Sequence, residues 1–268
     1  MLNPDGVSVK GCDVIYAPKG QALEYAPLTC SPYRGCGHRC VYCYVPAAIH
    51  ISRAEFDAGA DPKKNYLDRL TAEASKYAQH GIRAQVLMSF TTDPYNPDDV
   101  RIGLTREVIR VLHSFGLGVC TLTKGGHRAL RDLDLFDPAT DAFASTLTTL
   151  SAEQSRAWEP HAALPTARVE TLQRFHDAGI FTWVSLEPVF DVEQTLAIIR
   201  ATAPFVDLYK VGKINYHRIA RDIDWCRFTA DVTALLAELG KRHYIKRDLQ
   251  PFLPDGYDNP LRVDQVRA

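Results

Sequence analysis

The 268-residue sequence predicts an α/β fold in which parallel strands joined by helices curve into a partly closed β/α barrel. Three observations carry that prediction. Apolar, β-branched runs alternate with runs of helical period along most of the chain. The helical runs stop at glycines, which suit helix ends. No Pro/Gly/Ser-rich linker or composition break divides the sequence, so residues 1–268 read as a single domain, with a core over about 28–214 and a C-terminal extension over 215–268. A doubly wound open sheet satisfies the same alternation and stands as the alternative architecture.

The expected strands, in order, are Leu28–Tyr33, Gln85–Thr91, Leu117–Thr123, Ala142–Leu147, Ile180–Leu186 and Val206–Val211, with a weaker seventh at His243–Ile245. Leu104, Val108, Val111, Leu112 and Phe115 recur at helical spacing and lead to Gly116. Val169, Leu172 and Phe175 lead to Gly179, and Val232, Leu235, Leu236 and Leu239 lead to Gly240. Ser151 and Gln154 have the spacing of a capping box. Strand-then-helix units of these lengths join parallel strands through right-handed crossovers. The interval between the first two strands is longer than a connection needs, and it holds the most unusual residues of the chain.

Composition narrows the class. Hydrophobic residues make up 46% and charged residues 24%, enough for a sizeable core and unlike a disordered or collagen-like chain. A net charge of −1 argues against a broadly basic nucleic-acid binder, though not against a local basic patch. Neither a run long enough to span a membrane nor a basic, apolar leader is visible, so a soluble cytoplasmic protein is expected. Nothing in the sequence specifies an oligomeric state.

The seven cysteines lie at 12, 30, 36, 40, 43, 120 and 226, four of them between Cys30 and Cys43. A disulfide framework spreads and pairs its cysteines; a cluster in a reducing compartment points to metal. Cys36, Cys40 and Cys43 form C-x3-C-x2-C just after the first strand. Thiolates at that spacing can hold three corners of an iron–sulfur cubane and leave one iron open. The alternative is a structural zinc site completed by Cys30 or His38. Cys12, Cys120 and Cys226 read as small buried apolar residues.

The run Ser31-Pro32-Tyr33-Arg34-Gly35-Cys36, followed by Tyr42-Cys43-Tyr44, resembles the spore photoproduct lyase-like branch of the radical SAM superfamily. Its motif runs Asn-Pro-Tyr-x-Gly-Cys, and Ser31 stands where that branch often has Asn. The resemblance implies a partial (β/α)6 TIM-like barrel with the cluster loop after strand one. It implies a [4Fe-4S] cluster on Cys36, Cys40 and Cys43, and S-adenosylmethionine chelating the open iron. Reductive cleavage would then give a 5′-deoxyadenosyl radical that takes hydrogen from a substrate, with a nucleic acid or nucleotide one candidate. A ferredoxin or flavodoxin would supply the electron.

Barrel sites lie at the carboxyl ends of strands, and those ends are polar here. They carry Ser89 to Tyr95 after strand two, Thr123 and Lys124 after strand three, Thr146 to Thr149 after strand four, Ser185 and Glu187 on strand five, and Lys210, Gly212 and Lys213 on strand six. By the resemblance, Tyr42 packs near the adenine, Lys124 binds the cofactor carboxylate, and Thr146 and Ser185 hydrogen-bond to ribose or carboxylate. Glu187 accepts from the cofactor amine or orients substrate. Tyr44 belongs to the radical path or packs over the cluster. The lyase's hydrogen-donor cysteine, expected near the end of strand two, has no counterpart in Val86–Thr92, so repair of the thymine photoproduct by that donor is not implied. Lys241, Arg242, His243, Lys246 and Arg247 make a basic run that suits either a helix end or phosphate contact. Two other classes compete with the enzyme. One is a zinc-stabilised binding protein using Cys30, Cys36, Cys40 and Cys43; the other is an iron–sulfur electron carrier.

Overall fold

The computed structural model describes residues 1–3 and 6–261. Pro4, Asp5 and residues 262–268, the end of the expected C-terminal extension, lie outside the described residues. Seven strands form one sheet: β1 (Leu28–Cys30), β2 (Gln85–Met88), β3 (Gly118–Thr123), β4 (Ala142–Thr146), β5 (Phe181–Val189), β6 (Leu208–Lys213) and β7 (Arg242–Ile245). They stand in chain order and every neighbouring pair is parallel. A doubly wound sheet reverses its strand order at a switch point. This sheet never does, so the barrel reading holds and the open-sheet alternative falls.

The helices are α1 (Val45–Ala48), α2 (Arg53–Asp57), α3 (Tyr66–Gln79), α4 (Asp99–Ile102), α5 (Leu104–Ser114), α6 (Ala152–Trp158), α7 (Pro165–Asp177), α8 (Val192–Thr202) and α9 (Trp225–Glu238). Side chains alternate across a strand, and the core divides accordingly. Val86, Val119, Phe143, Val184 and Val211 share one large cluster with Leu70, Ile109, Phe175, Ile199 and Leu236 of the helices. Leu87, Cys120, Ala144, Trp183, Leu208 and Tyr244, from the opposite strand face, form a separate cluster with Tyr25 and Phe90. The first is the layer between barrel and helices, and the second fills the lumen. Stacking of Phe143 on Phe175, with ring centroids 3.9 Å apart, fixes α7 to β4.

Boundaries differ from the sequence reading where the backbone changes partner. Pro32 cannot donate to a ladder, so β1 stops at Cys30, and Tyr33–Arg34 instead pairs antiparallel with Asp61–Pro62. Strand β5 runs on to Val189 across a register shift between Leu186 and Val189. Helices α5, α7 and α9 end just before the glycines the pattern marked, and Gly179 takes the left-handed conformation at φ 80°. Ser151 caps α6 by accepting from Gln154 N at 3.3 Å. The box is only half formed, because the Gln154 side chain turns to Thr149 and Asp191. Among the described residues no helix is long and apolar enough to cross a membrane.

Strands β1 and β7 are the two edges of the sheet and do not pair. The turn Gly20–Glu24 and Tyr25 span that seam. Buried Glu24 accepts from Tyr244 Oη at 2.9 Å and Arg247 N at 2.8 Å, both through Oε1. Lys210 Nζ donates to the Tyr25 carbonyl at 2.7 Å. Glu24→Ala leaves a buried hydroxyl and a main-chain N–H without their acceptor. A loss of about 2–3 kcal/mol is expected, read as a lower denaturation midpoint in urea.

Candidate active site

The cysteine loop lies between β1 and α1, held by backbone contacts from the elements around it. Gly35 sits at φ +82°, and a Cβ there would come within 2.1 Å of the Gly59 carbonyl oxygen. No other residue fits. Cys36 N donates to Phe56 O at 2.9 Å, Val41 N donates to Trp158 O at 2.8 Å, and Arg53 donates to the Cys40 carbonyl. Cys36 and Cys43 face an apolar wall of Val45, Phe56, Ile49 and Ile51. Burial pushes the Cys40 thiol up to about 12, with Lys124 pulling the other way. Burial also raises Cys36, reinforced by the Asp93 charge and by the other two loop cysteines. Three neighbouring thiols that resist ionisation need a cation to stabilise them as thiolates.

The donor set fits an iron–sulfur cubane better than a zinc ion. All seven cysteines are free. Cys30 belongs to the main core, where its thiol interacts with Tyr66 and Lys63 rather than the loop cysteines. His38 is also turned elsewhere. Its Nε2 faces Arg128 Nη2 at 2.6 Å and its Nδ1 faces Asp93 at 3.4 Å. Arginine can only donate, so Nε2 is the acceptor and the ring proton sits on Nδ1. Neither expected fourth zinc ligand is therefore available, and the closed zinc site of the alternative reading is not assembled. Among the described residues no three His, Cys, Asp or Glu side chains gather as ligands of one ion. A cubane does not ask them to, since each thiolate takes a different iron.

Asp93, after β2, ties the loop to the barrel. Its Oδ1 accepts from Tyr95 N at 2.9 Å and Thr123 Oγ1 at 2.5 Å, and its Oδ2 accepts from Lys124 N at 2.7 Å. Burial would raise this carboxyl, but His38 and the hydrogen bonds outweigh it and hold it well below the usual range.

Behind Cys40 lies a buried charge network. Tyr42 donates to Glu159, and Glu159 pairs with Arg168 at 2.5 Å. Lys124 Nζ lies 5.6 Å from the centroid of the Tyr42 ring. Arg168 also donates to the Thr146 carbonyl at 3.1 Å. Burial opposes the Glu159 charge, yet Arg168 and Lys124 keep its carboxyl below the ordinary value. Burial likewise opposes the Lys124 charge, while Cys40 and Glu159 keep that amine above its ordinary value.

A second group faces the lumen from β5, β6 and β7. Ser185 Oγ meets Tyr25 Oη at 3.1 Å. Glu187 accepts from Tyr25 Oη and from Lys246 Nζ, the latter at 2.6 Å. The residues expected at the site thus fall into two sets: the cysteines, Tyr42, Lys124 and Thr146 on one side, and Ser185 and Glu187 under Tyr25 on the other. Tyr44 stands on the rim, 54% exposed, its hydroxyl 3.4 Å from the Phe90 carbonyl.

The basic run near the C-terminus is not one patch. Lys246 is buried against Glu187, Lys241 binds the Val206 carbonyl, and Arg242 covers the Phe181 ring. Cys226 is exposed rather than buried. Sequence reasoning missed Tyr25, which precedes the first strand, and the Glu159–Arg168 pair, whose members resemble ordinary surface charges. Lys246 carried one usable signal: it lies two residues beyond buried Tyr244 and so shares its face.

A family model described as the Radical SAM superfamily matches residues 30–199. The uncharacterized protein Rv2578c of Mycobacterium tuberculosis is 29% identical over 180 residues, 64% of this chain and 52% of its own length. The chain therefore spans about half the length of that relative. The uncharacterized protein MJ0683 of Methanocaldococcus jannaschii is 24% identical over 186 residues, 68% of either chain. Among solved structures, a spore photoproduct lyase variant with bound AdoMet and dinucleoside spore photoproduct superposes with a TM-score of 0.65 at 14% identity, covering 86% of this chain and 78% of that one. Streptococcus suis SuiB bound to S-adenosylmethionine gives 0.61 at 11% identity, covering 86% of this chain and 53% of that one. At such identities these structures share the fold.

Because the Asp93 carboxyl is depressed in the folded chain, its stabilisation is full above the unfolded value near 3.9 and is lost as pH falls below it. Wild type should outlast Asp93→Asn in thermal melts from pH 7 down to about 5, with the gap closing below about pH 4.

Proposed function

From a chain that belongs to the radical SAM superfamily, whose enzymes use a [4Fe-4S] cluster and S-adenosylmethionine, we propose a radical enzyme that abstracts hydrogen from its substrate inside the barrel mouth. The observation that carries this reading is the loop itself: three free, mutually interacting thiols, with both candidate fourth ligands committed elsewhere. Cys36, Cys40 and Cys43 hold the cluster. When bound and reduced, cluster and cofactor together supply a 5′-deoxyadenosyl radical.

The chain's own residues do the rest. Lys124, kept charged by Cys40 and Glu159, offers its ammonium to the cofactor carboxylate. Tyr42, anchored by its hydroxyl to Glu159, offers a ring face to the adenine. Thr146 and Ser185 serve the ribose or carboxylate, and Glu187 the amine. Tyr44, exposed on the rim, would belong to the radical path or pack over the cluster. The apolar wall of Val45, Phe56 and Ile49 keeps water from the loop. The bound cluster would need a one-electron protein reductant, a ferredoxin or flavodoxin, and the site would serve as a lyase-like centre within one domain. A nucleic acid or nucleotide is one substrate class, although the dispersal of the basic run lends it no support.

Anaerobic reconstitution should give a brown protein with about four irons per chain and 5′-deoxyadenosine on reduction. Cys40→Ala should lose both colour and product; product surviving in that variant refutes the assignment. Lys124→Met should keep the colour while weakening S-adenosylmethionine binding roughly ten- to hundredfold, the worth of a charged hydrogen bond.

A further inference from the structure

The floor of the barrel mouth carries a charge that the cofactor reading leaves unused. Lys210 lies mid-strand on β6, beside Ser185 on β5 and Tyr244 on β7 in the sheet register. Its side chain is 1% exposed. One N–H donates to the Tyr25 carbonyl at 2.7 Å. Beyond that the ammonium faces rings, with Trp183 at 4.1 Å and Tyr25 at 5.5 Å to their centroids. Among the described residues no carboxylate pairs with it. Lys246, 2% exposed on the chain just past β7, faces the same Tyr25 ring at 4.5 Å and takes Glu187 as its partner. Gly212 leaves room for that carboxylate, because a Cβ there would lie 2.8 Å from Glu187 Cδ.

Glu187 thus answers Lys246, while Lys210 has only the Tyr25 carbonyl as a polar partner. The other groups near Lys210 do not supply its counter-charge. Cys120, which interacts with Lys210, is a thiol pushed up to about 12 by burial. Tyr25 is a phenol raised by burial and by Glu187. Two further carboxylates stand on the Lys246 side: Glu24, which accepts from Tyr244 and the Arg247 main chain, and Asp248, which accepts from Asn215 and interacts with Lys246. A buried ammonium without a counter-charge is costly, and burial together with Lys246 lowers Lys210 to about 7.

We propose that Lys210 and Lys246 form the binding site for an acidic group of the substrate, a carboxylate or a phosphate, at the lumen floor beside Ser185 and Glu187. The inference deepens the radical-enzyme reading and rests on it. An arriving anion replaces the Tyr25 carbonyl or joins it on Lys210, supplies the counter-charge that Lys210 lacks and keeps it protonated. Affinity then falls as pH rises above about 7, because the empty site loses the proton that binding requires.

Melting of the reconstituted full chain with inorganic phosphate or with acetate tests this. Acetate keeps its charge throughout the range, so its response isolates the titration of the protein. At least one anion should raise Tm saturably by about 4 °C at pH 6.5, and the acetate response, where present, should fade by pH 9. S-adenosylmethionine should leave the anion response in place. Lys210→Met should melt no lower than wild type, since it removes a desolvated charge, and should show no anion response; Lys210→Arg should retain it. Phosphate or acetate should also slow acetylation of Lys210 in the wild type, read by peptide mass, whether or not Lys210→Met folds. No response to either anion, a response that survives in Lys210→Met, or one abolished by S-adenosylmethionine overturns the inference; the last would make this the cofactor's own carboxylate site. 5′-Deoxyadenosine formation in the same samples reports on the cluster separately, so a missing anion response with product intact sinks this inference alone.

Discussion

The cysteine loop has to be held against the end of a parallel barrel, and Asp93 is the group that ties the loop to two strand ends at once. Two of the bonds it accepts come from main-chain N–H groups, of Tyr95 just beyond it and of Lys124 after β3. The Thr123 hydroxyl gives a third, and His38, inside the loop, reaches it through Nδ1. One carboxylate thus fixes the start of the Lys124 side chain and the ring that sits between Cys36 and Cys40. A buried charge is tolerable only when its lone pairs are satisfied, and here the satisfying groups are those the site has to align.

The same economy governs the far side of Cys40. Glu159 and Arg168 are both fully sequestered, an arrangement that contributes little net stability when two charges are taken out of water together. Its value is positional. Glu159 anchors Tyr42, Arg168 reaches the Thr146 carbonyl, and the pair sets the field in which Lys124 stays charged. A row of polar strand ends becomes a site only because groups behind it decide which are free to face a ligand.

The strands were legible because apolar β-branched runs of this length have few other uses, and their order followed from helices of matching period between them. Gly116, Gly179 and Gly240 marked helix ends because few other residues adopt positive φ there without strain. The cysteine triplet was legible from spacing and the flanking aromatics. The illegible parts were those defined by contacts distant in sequence. Nothing local to Glu159 or Arg168 says that they bury each other. The Lys241–Arg247 run looked like a patch because sequence proximity was read as surface proximity, whereas Arg242 and Lys246, on one strand face, meet Phe181 and Glu187 at its two ends and Lys241 turns to the Val206 carbonyl. Tyr25 was overlooked because nothing in the segment ahead of the first strand points to its partners on β5.

That segment gives the barrel an unusual freedom. Its seam is closed by a short turn and one aromatic side chain rather than by a seventh ladder, so the interior can be reshaped without breaking any strand pairing. Within residues 20–26, Glu24 and Tyr25 carry the bonds that tie this turn to the far strands, and substitutions that spare them leave every strand ladder in place. The shape of the lumen is therefore set in part by residues that belong to no ladder at all.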